Sequence, residues 1–220
     1  MPIVVALILL VVLLSGCLIL PEAPGVSSEE LQAIEERFGV DARKRVQHWR
    51  QAIEDNQSRP DSEKLDITNQ LFNRLKFEDD INHWNLEDYW ATPIETLATN
   101  GGDCEDIAIG KYFMLKELGI VSQCLRLTYV KSLTLNKPHM VLNYQCAGST
   151  TSLVLDNVVP VILPSAERTD LLPVYSFNAD GLWLAKLQGM GNRVGGSERL
   201  SVWTALLKRI TKPISAKRNH

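Results

Sequence analysis

A chain of 220 residues that is 45% hydrophobic and 22% charged can bury one sizeable core, and a single domain is the expectation. A formal charge of −3 gives no general electrostatic reason to bind nucleic acid, although residues 208–220 form a locally basic tail, read here as solvated and frayed.

At the N-terminus, residues 3–20 are apolar apart from Ser15 and Gly16, which reads as a secretion signal or a membrane anchor. No Lys or Arg precedes Arg37, so the usual basic flank is missing and the orientation is weakly specified. The run closes on Leu14-Ser15-Gly16-Cys17, which resembles a bacterial lipobox whose cysteine becomes the lipidated first residue, and the Pro-rich residues 21–25 follow as a tether. The alternative is an uncleaved anchor in which Cys17 is only a small apolar residue. Either way the expectation is export to the periplasmic side, with residues 1–26 as leader or anchor, 27–207 as the domain and 208–220 as the tail.

Next, Ser27-Ser28-Glu29-Glu30 ahead of Leu31, Ile34 and Phe38 is a helix start with acids in its first turn. Residues 41–57 and 61–77 predict two more helices, with Val46, Trp49 and Ile53 on one stripe and Leu65, Leu71, Phe72 and Leu75 on another. Residues 78–99 are aromatic-rich and carry no assignable period. Gly101-Gly102 break the chain, and residues 103–118 read as a helix closed by Gly119. Beyond it, residues 124–131, 138–145, 152–156, 171–177 and 181–185 predict short strands. Helices followed by a meander give an α+β class with the helices packed on one side of an antiparallel sheet.

Cys104 stands where the Gly-Gly turn feeds a helix, at the positive end of the helix dipole and among backbone N–H groups that could form an oxyanion hole. His139 begins one predicted strand and Asp156 ends another, so a sheet could hold both beside that helix start. The order is that of a papain- or transglutaminase-like site in which Cys104 attacks, His139 carries the proton and Asp156 fixes the imidazole.

The stretches Trp90-Ala91-Thr92-Pro93-Ile94-Glu95-Thr96-Leu97, Gly102-Asp103-Cys104-Glu105-Asp106-Ile107-Ala108-Ile109, Leu125-Arg126-Leu127-Thr128-Tyr129-Val130-Lys131, Pro138-His139-Met140-Val141-Leu142 and Leu153-Val154-Leu155-Asp156-Asn157 resemble the bacterial transglutaminase-like cysteine proteinases of the periplasmic LapG type. Pro173-Val174-Tyr175-Ser176-Phe177-Asn178 and Gly181-Leu182-Trp183-Leu184 match as well; the lipobox-like N-terminus departs from the family pattern. The resemblance implies a calcium-dependent endoprotease that clips the N-terminal region of a large surface adhesin at a di-alanine site and so releases cells from a biofilm. It also implies an inner-membrane receptor that senses cyclic di-GMP and holds the enzyme inactive.

Calcium has a separate physical reading. Asp103, Glu105 and Asp106 crowd three carboxylates around Cys104, which opposes a thiolate unless a hard cation offsets them. Against it stands a capping-box-like helix start, Asp103 as N-cap with Asp106 three residues on. Asn143 lies on the His139 side of its strand as a candidate ligand, and Trp90 could donate to an oxyanion, though both types are more often structural. His48 and His83 lack any partner motif. Cys124 and Cys146 fall nearly opposite each other in a hairpin; two free thiols are slightly favoured over a bridge, since register is not fixed by sequence. A transglutaminase or amidase using the same triad, and a non-catalytic receptor-binding module, are the competing functions.

Overall fold

The computed structural model describes residues 26–184, 191–212 and 214. The leader, the lipobox-like motif with Cys17, Ala185 and residues 215–220 of the tail lie outside them.

Three helices open the chain: α1 (Ser28–Phe38), α2 (Val40–Asn56) and α3 (Asp61–Asn73). The start of α1 is a full capping box between Ser27 and Glu30, as its sequence predicts. The stripes are also as expected, with Val46, Trp49 and Ile53 of α2 and Leu65 and Phe72 of α3 buried. The third helix ends earlier than its predicted limit. Lys76–Phe77 instead form a two-residue strand, β1, parallel to β2 (Gly101–Gly102). Between them the irregular connection contains α4 (Asp80–His83) and α5 (Pro93–Thr99), the latter begun by a Thr92–Glu95 capping box with Pro93 at its first position.

The helix α6 (Cys104–Glu117) is the centre of the molecule. Ten of its residues are buried, so it is enclosed on nearly every side and lacks an exposed polar face. Gly110 lets α3 approach closely: a Cβ there would lie 2.1 Å from the Phe72 ring.

The sheet follows, with β3 (Leu125–Ser132), β4 (Lys137–Tyr144), β5 (Leu153–Leu155), β6 (Leu163–Pro164), β7 (Leu171–Asn178), β8 (Gly181–Leu184) and β9 (Asn192–Gly195). The order is β6-β5-β4-β3-β7-β8-β9, and every pairing is antiparallel. Met140 and Leu142 of β4, with Leu125 and Leu127 of β3, join α6 in the main core, whereas Val130, Val141, Val154 and Leu171 form a small separate cluster. This is the expected α+β architecture. Strands β6 and β9 were not foreseen, being too short to show a period.

Two expectations are overturned. Cys124 and Cys146 are bridged, with Cα atoms 4.3 Å apart, rather than free. Leu125 pairs with Tyr144, and Gln145 N–H donates to Cys124 C=O, so the hairpin register brings the two cysteines together at its open end. Closing a loop of this length removes chain entropy worth about 3 kcal/mol. The start of the basic tail is not frayed either: α7 (Ser201–Ile210) includes Lys208 and Arg209, buries Trp203 and Leu206, and lays Arg209 over the Tyr89 ring with a hydrogen bond to the Trp90 carbonyl.

Candidate active site and metal centre

The N-terminus of α6 meets the sheet at β4. β5 pairs only with Leu142–Tyr144, leaving the first half of β4 without a strand on that side. There the backbone of Met140, the residue after His139, acts on Cys104, which is 7% exposed. His139 is buried and its Nε2 lies 2.8 Å from Asp156 Oδ1. With Nε2–H committed to the carboxylate, Nδ1 is the nitrogen left for the thiol.

Asp156, just past β5, is held from four directions. Its Oδ1 also accepts from Val158 N–H at 3.0 Å, its Oδ2 accepts from Arg168 Nη2 at 2.8 Å, and its carbonyl accepts from Asn73 Nδ2 of α3 at 2.8 Å. Burial alone would raise its pKa. The hydrogen bond and charge of His139, the Val158 N–H and Arg168 outweigh that and hold the carboxyl well below the usual range.

The thiol itself is in the opposite condition. Burial first, then the charges of Glu105 and Asp103, push its pKa well above the ordinary value, and Sγ donates to Glu105 Oε2 at 2.7 Å. In this state the favourable dipole of α6 is overridden, and Cys104 is a poor nucleophile.

The acids responsible form two overlapping groups, Asp103 with Cys104 and Glu105, and Asp80 with Asp103 and Asp106, each with ligand atoms within 4.8 Å of one another. Asp103 is the N-cap: its Oδ1 accepts from the N–H of Glu105 at 3.0 Å and of Asp106 at 3.4 Å. Asp106 does not close a capping box. Its Oδ1 accepts from Ala91 N–H at 2.6 Å and its Oδ2 from Trp84 Nε1 at 3.2 Å, which makes it a clamp on the 84–91 connection. Gly102 permits this, since a Cβ there would lie 2.4 Å from Asp106 Oδ2. Of the three predicted ligands, Asp103 and Glu105 each keep an oxygen for a cation, and Asp106, whose oxygens each accept one hydrogen bond, stands with Asp80 and Asp103 in the second group.

Asp80 is a candidate ligand that sequence reading missed. Its Oδ2 accepts from Tyr89 N–H at 2.6 Å, while its Oδ1 is buried without a hydrogen-bond partner. An orphaned carboxylate oxygen aimed into an acidic cluster is what a cation site leaves behind. Burial and mutual repulsion raise Asp80 to about 6, Asp106 to about 8 and Asp103 to about 9. The oxygen-only donor set suits a hard divalent ion such as calcium.

The other candidates are structural. Asn143 donates to Ser152 Oγ at 3.3 Å, Trp90 is buried and stacks on Phe177, His83 lies between Glu78 and Thr99, and His48 is exposed. Arg168 and Lys111 were not foreseen. Lys111 lies buried on α6, where burial lowers it to about 7 against the opposing charge of Asp156.

A buried thiol at a helix start, abutting a strand that carries a histidine paired with an aspartate, defines the transglutaminase-like fold of cysteine proteinases. The chain belongs to the family of bacterial transglutaminase-like cysteine proteinases, BTLCP, whose model matches residues 40–178. Among solved structures it is similar to LapG of Legionella pneumophila, 42% identical, with 85% of this chain and 99% of that one covered and a TM-score of 0.73. The EGTA-treated form of that protein gives a TM-score of 0.74 at the same identity and coverage. Its calcium-bound form gives 0.71, at 42% identity over 84% of this chain and 99% of that one. Comparison with curated proteins returned no match.

Proposed function

We propose that this chain is a calcium-dependent periplasmic cysteine endoprotease that cuts the N-terminal region of a large surface adhesin at a di-alanine site and thereby controls biofilm release. The observation that carries the catalytic part is the His139–Asp156 bond beside Cys104 at the start of α6. Cys104 Sγ attacks the scissile carbonyl while His139 takes the thiol proton at Nδ1. Asp156 keeps Nε2–H oriented and stabilises the imidazolium, and the Cys104 N–H, not among those that Asp103 caps, would donate to the developing oxyanion. His139 then returns the proton to the leaving amine, and water resolves the thioester.

Calcium would be held among Asp103, Glu105 and Asp106, with Asp80 added. When bound, the ion supplies the positive charge that offsets these carboxylates. Glu105 would then cease to be the acceptor for the Cys104 proton, leaving the thiol to His139. The calcium-bound form of the similar Legionella protein supports calcium as the ion.

The Cys124–Cys146 bridge supports an oxidising compartment. No helix among the described residues is long and apolar enough to cross a membrane. In this reading a tether would lie in the N-terminal segment, through an anchor or lipidation at Cys17. An inner-membrane cyclic di-GMP receptor as inhibitor follows from the family resemblance.

The test is incubation with exported adhesin N-terminal fragments, with and without calcium and with an added primary amine, followed by mass mapping. A calcium-dependent cut between two alanines with free carboxylate termini is expected. Amine-capped products in place of hydrolysis would make the chain a transglutaminase, and intact fragments throughout would leave a binding module.

A further inference from the structure

Asp156 is not the end of the relay from the thiol. Arg168, in the turn between β6 and β7, is buried, with its side chain 3% exposed. Its Nη2 donates to Asp156 Oδ2 at 2.8 Å and to Asp170 Oδ2 at 2.8 Å, and its Nε donates to Asp170 Oδ1 at 2.9 Å. The guanidinium is thus gripped bidentately by Asp170 on one side and presents one N–H to the oxygen of Asp156 that His139 does not use. Asp170 is itself fixed, because its carbonyl accepts from Leu133 N–H at 2.8 Å.

Burying an arginine is costly, and its Nη1 remains buried without a hydrogen-bond partner. A purely structural cross-link between β5 and β7 would be made as well by apolar packing. What an arginine adds is a fixed cation at hydrogen-bonding distance from the buried carboxylate that orients the imidazole. We propose that Arg168, braced by Asp170, is a positioning residue of the proteolytic site, keeping Asp156 ionised and in the rotamer that aims His139 Nδ1 at Cys104. This rests on the proteolytic reading above for its consequence in turnover, but not for its effect on the thiol. The residue touches no substrate, so its loss acts on kcat and leaves KM in place.

The experiment compares wild type, Arg168→Gln, Arg168→Lys and Asp170→Asn, all in calcium. Two readouts are taken: steady-state cleavage, and the rate of Cys104 alkylation by iodoacetamide, which needs no protein substrate. Arg168→Gln is expected to lower kcat by about 10- to 100-fold with KM within about twofold, and to slow alkylation in parallel. Arg168→Lys, which keeps the charge without the fork, should recover part of both losses, and Asp170→Asn should reduce both severalfold. If Arg168→Gln does not fold, Asp170→Asn alone decides, since it loosens the guanidinium and keeps its charge. Wild-type kcat and alkylation in a folded Arg168→Gln or in Asp170→Asn would overturn the proposal, as would equal losses in the Gln and Lys variants. Slowed alkylation in a protein that cleaves no adhesin fragment would uphold the role of Arg168 and remove the substrate reading instead.

Discussion

Cys104→Ala, Cys104→Ser and His139→Ala are each expected to lower cleavage by about 10⁴-fold or more, the scale seen when one member of a nucleophile–base pair is removed. The physical reason is that the three groups act as a unit. Without Sγ there is no thioester, and without the imidazole the thiol has no base to take its proton. Thermal stability should stay near wild type for Cys104→Ala, because the side chain sits at a helix start and leaves little void. Asp156→Asn differs: it strands Arg168 beside an uncharged partner and should cost stability as well as rate. Substantial turnover in either Cys104 variant would end the cysteine-protease account.

Metal-free protein should lose stability as the pH rises from about 4 to about 9. In the unfolded chain the aspartates ionise near 3.8, whereas in the fold Asp80, Asp106 and Asp103 hold their protons to about 6, 8 and 9. Between those limits the unfolded state binds fewer protons than the folded one. Stability therefore falls as the pH rises through this range, the three neighbouring carboxyls losing their protons as a group. Lys111 acts oppositely between about 7 and 10.5, where the unfolded chain binds the extra proton. Bound calcium reverses the carboxylate effect, since its ligands are ionised in the fold, and it leaves Lys111 untouched. The rise in Tm from EGTA to calcium should thus grow from pH 5 through pH 8.5. A calcium increment that does not vary with pH would remove Asp80, Asp103 and Asp106 from the site.

What was legible in the sequence was local. The Ser27 and Thr92 capping residues, the Val46–Trp49–Ile53 stripe and the Gly-Gly turn ahead of Cys104 each depend on near neighbours, and the fold honours them. Cys104, His139 and Asp156 could be nominated because each marks an element boundary. Asp80 could not, since only the irregular path from α4 to α5, clamped by Asp106 on Trp84 and Ala91, carries it back to the α6 start. Arg168 was hidden in the same way, in a turn whose approach to Asp156 depends on sheet order. The Cys124–Cys146 bridge was missed for want of one residue of register, which the Leu125–Tyr144 pairing supplies. Of the capping alternative only the Asp103 N-cap holds: one oxygen caps the helix, Asp106 closes no box, and the Asp103 carboxylate still groups with Glu105 and with Asp80.

The most direct test of the central claim is the rate of Cys104 alkylation by iodoacetamide, measured in calcium, in EGTA and in His139→Ala. With calcium offsetting the acids, Glu105 would no longer hold the thiol proton and His139 would accept it, so alkylation in calcium should be at least about tenfold faster than in either other condition. Equal, slow alkylation in all three would contradict the account, because it would leave Cys104 a buried thiol that neither the acidic cluster nor the histidine activates.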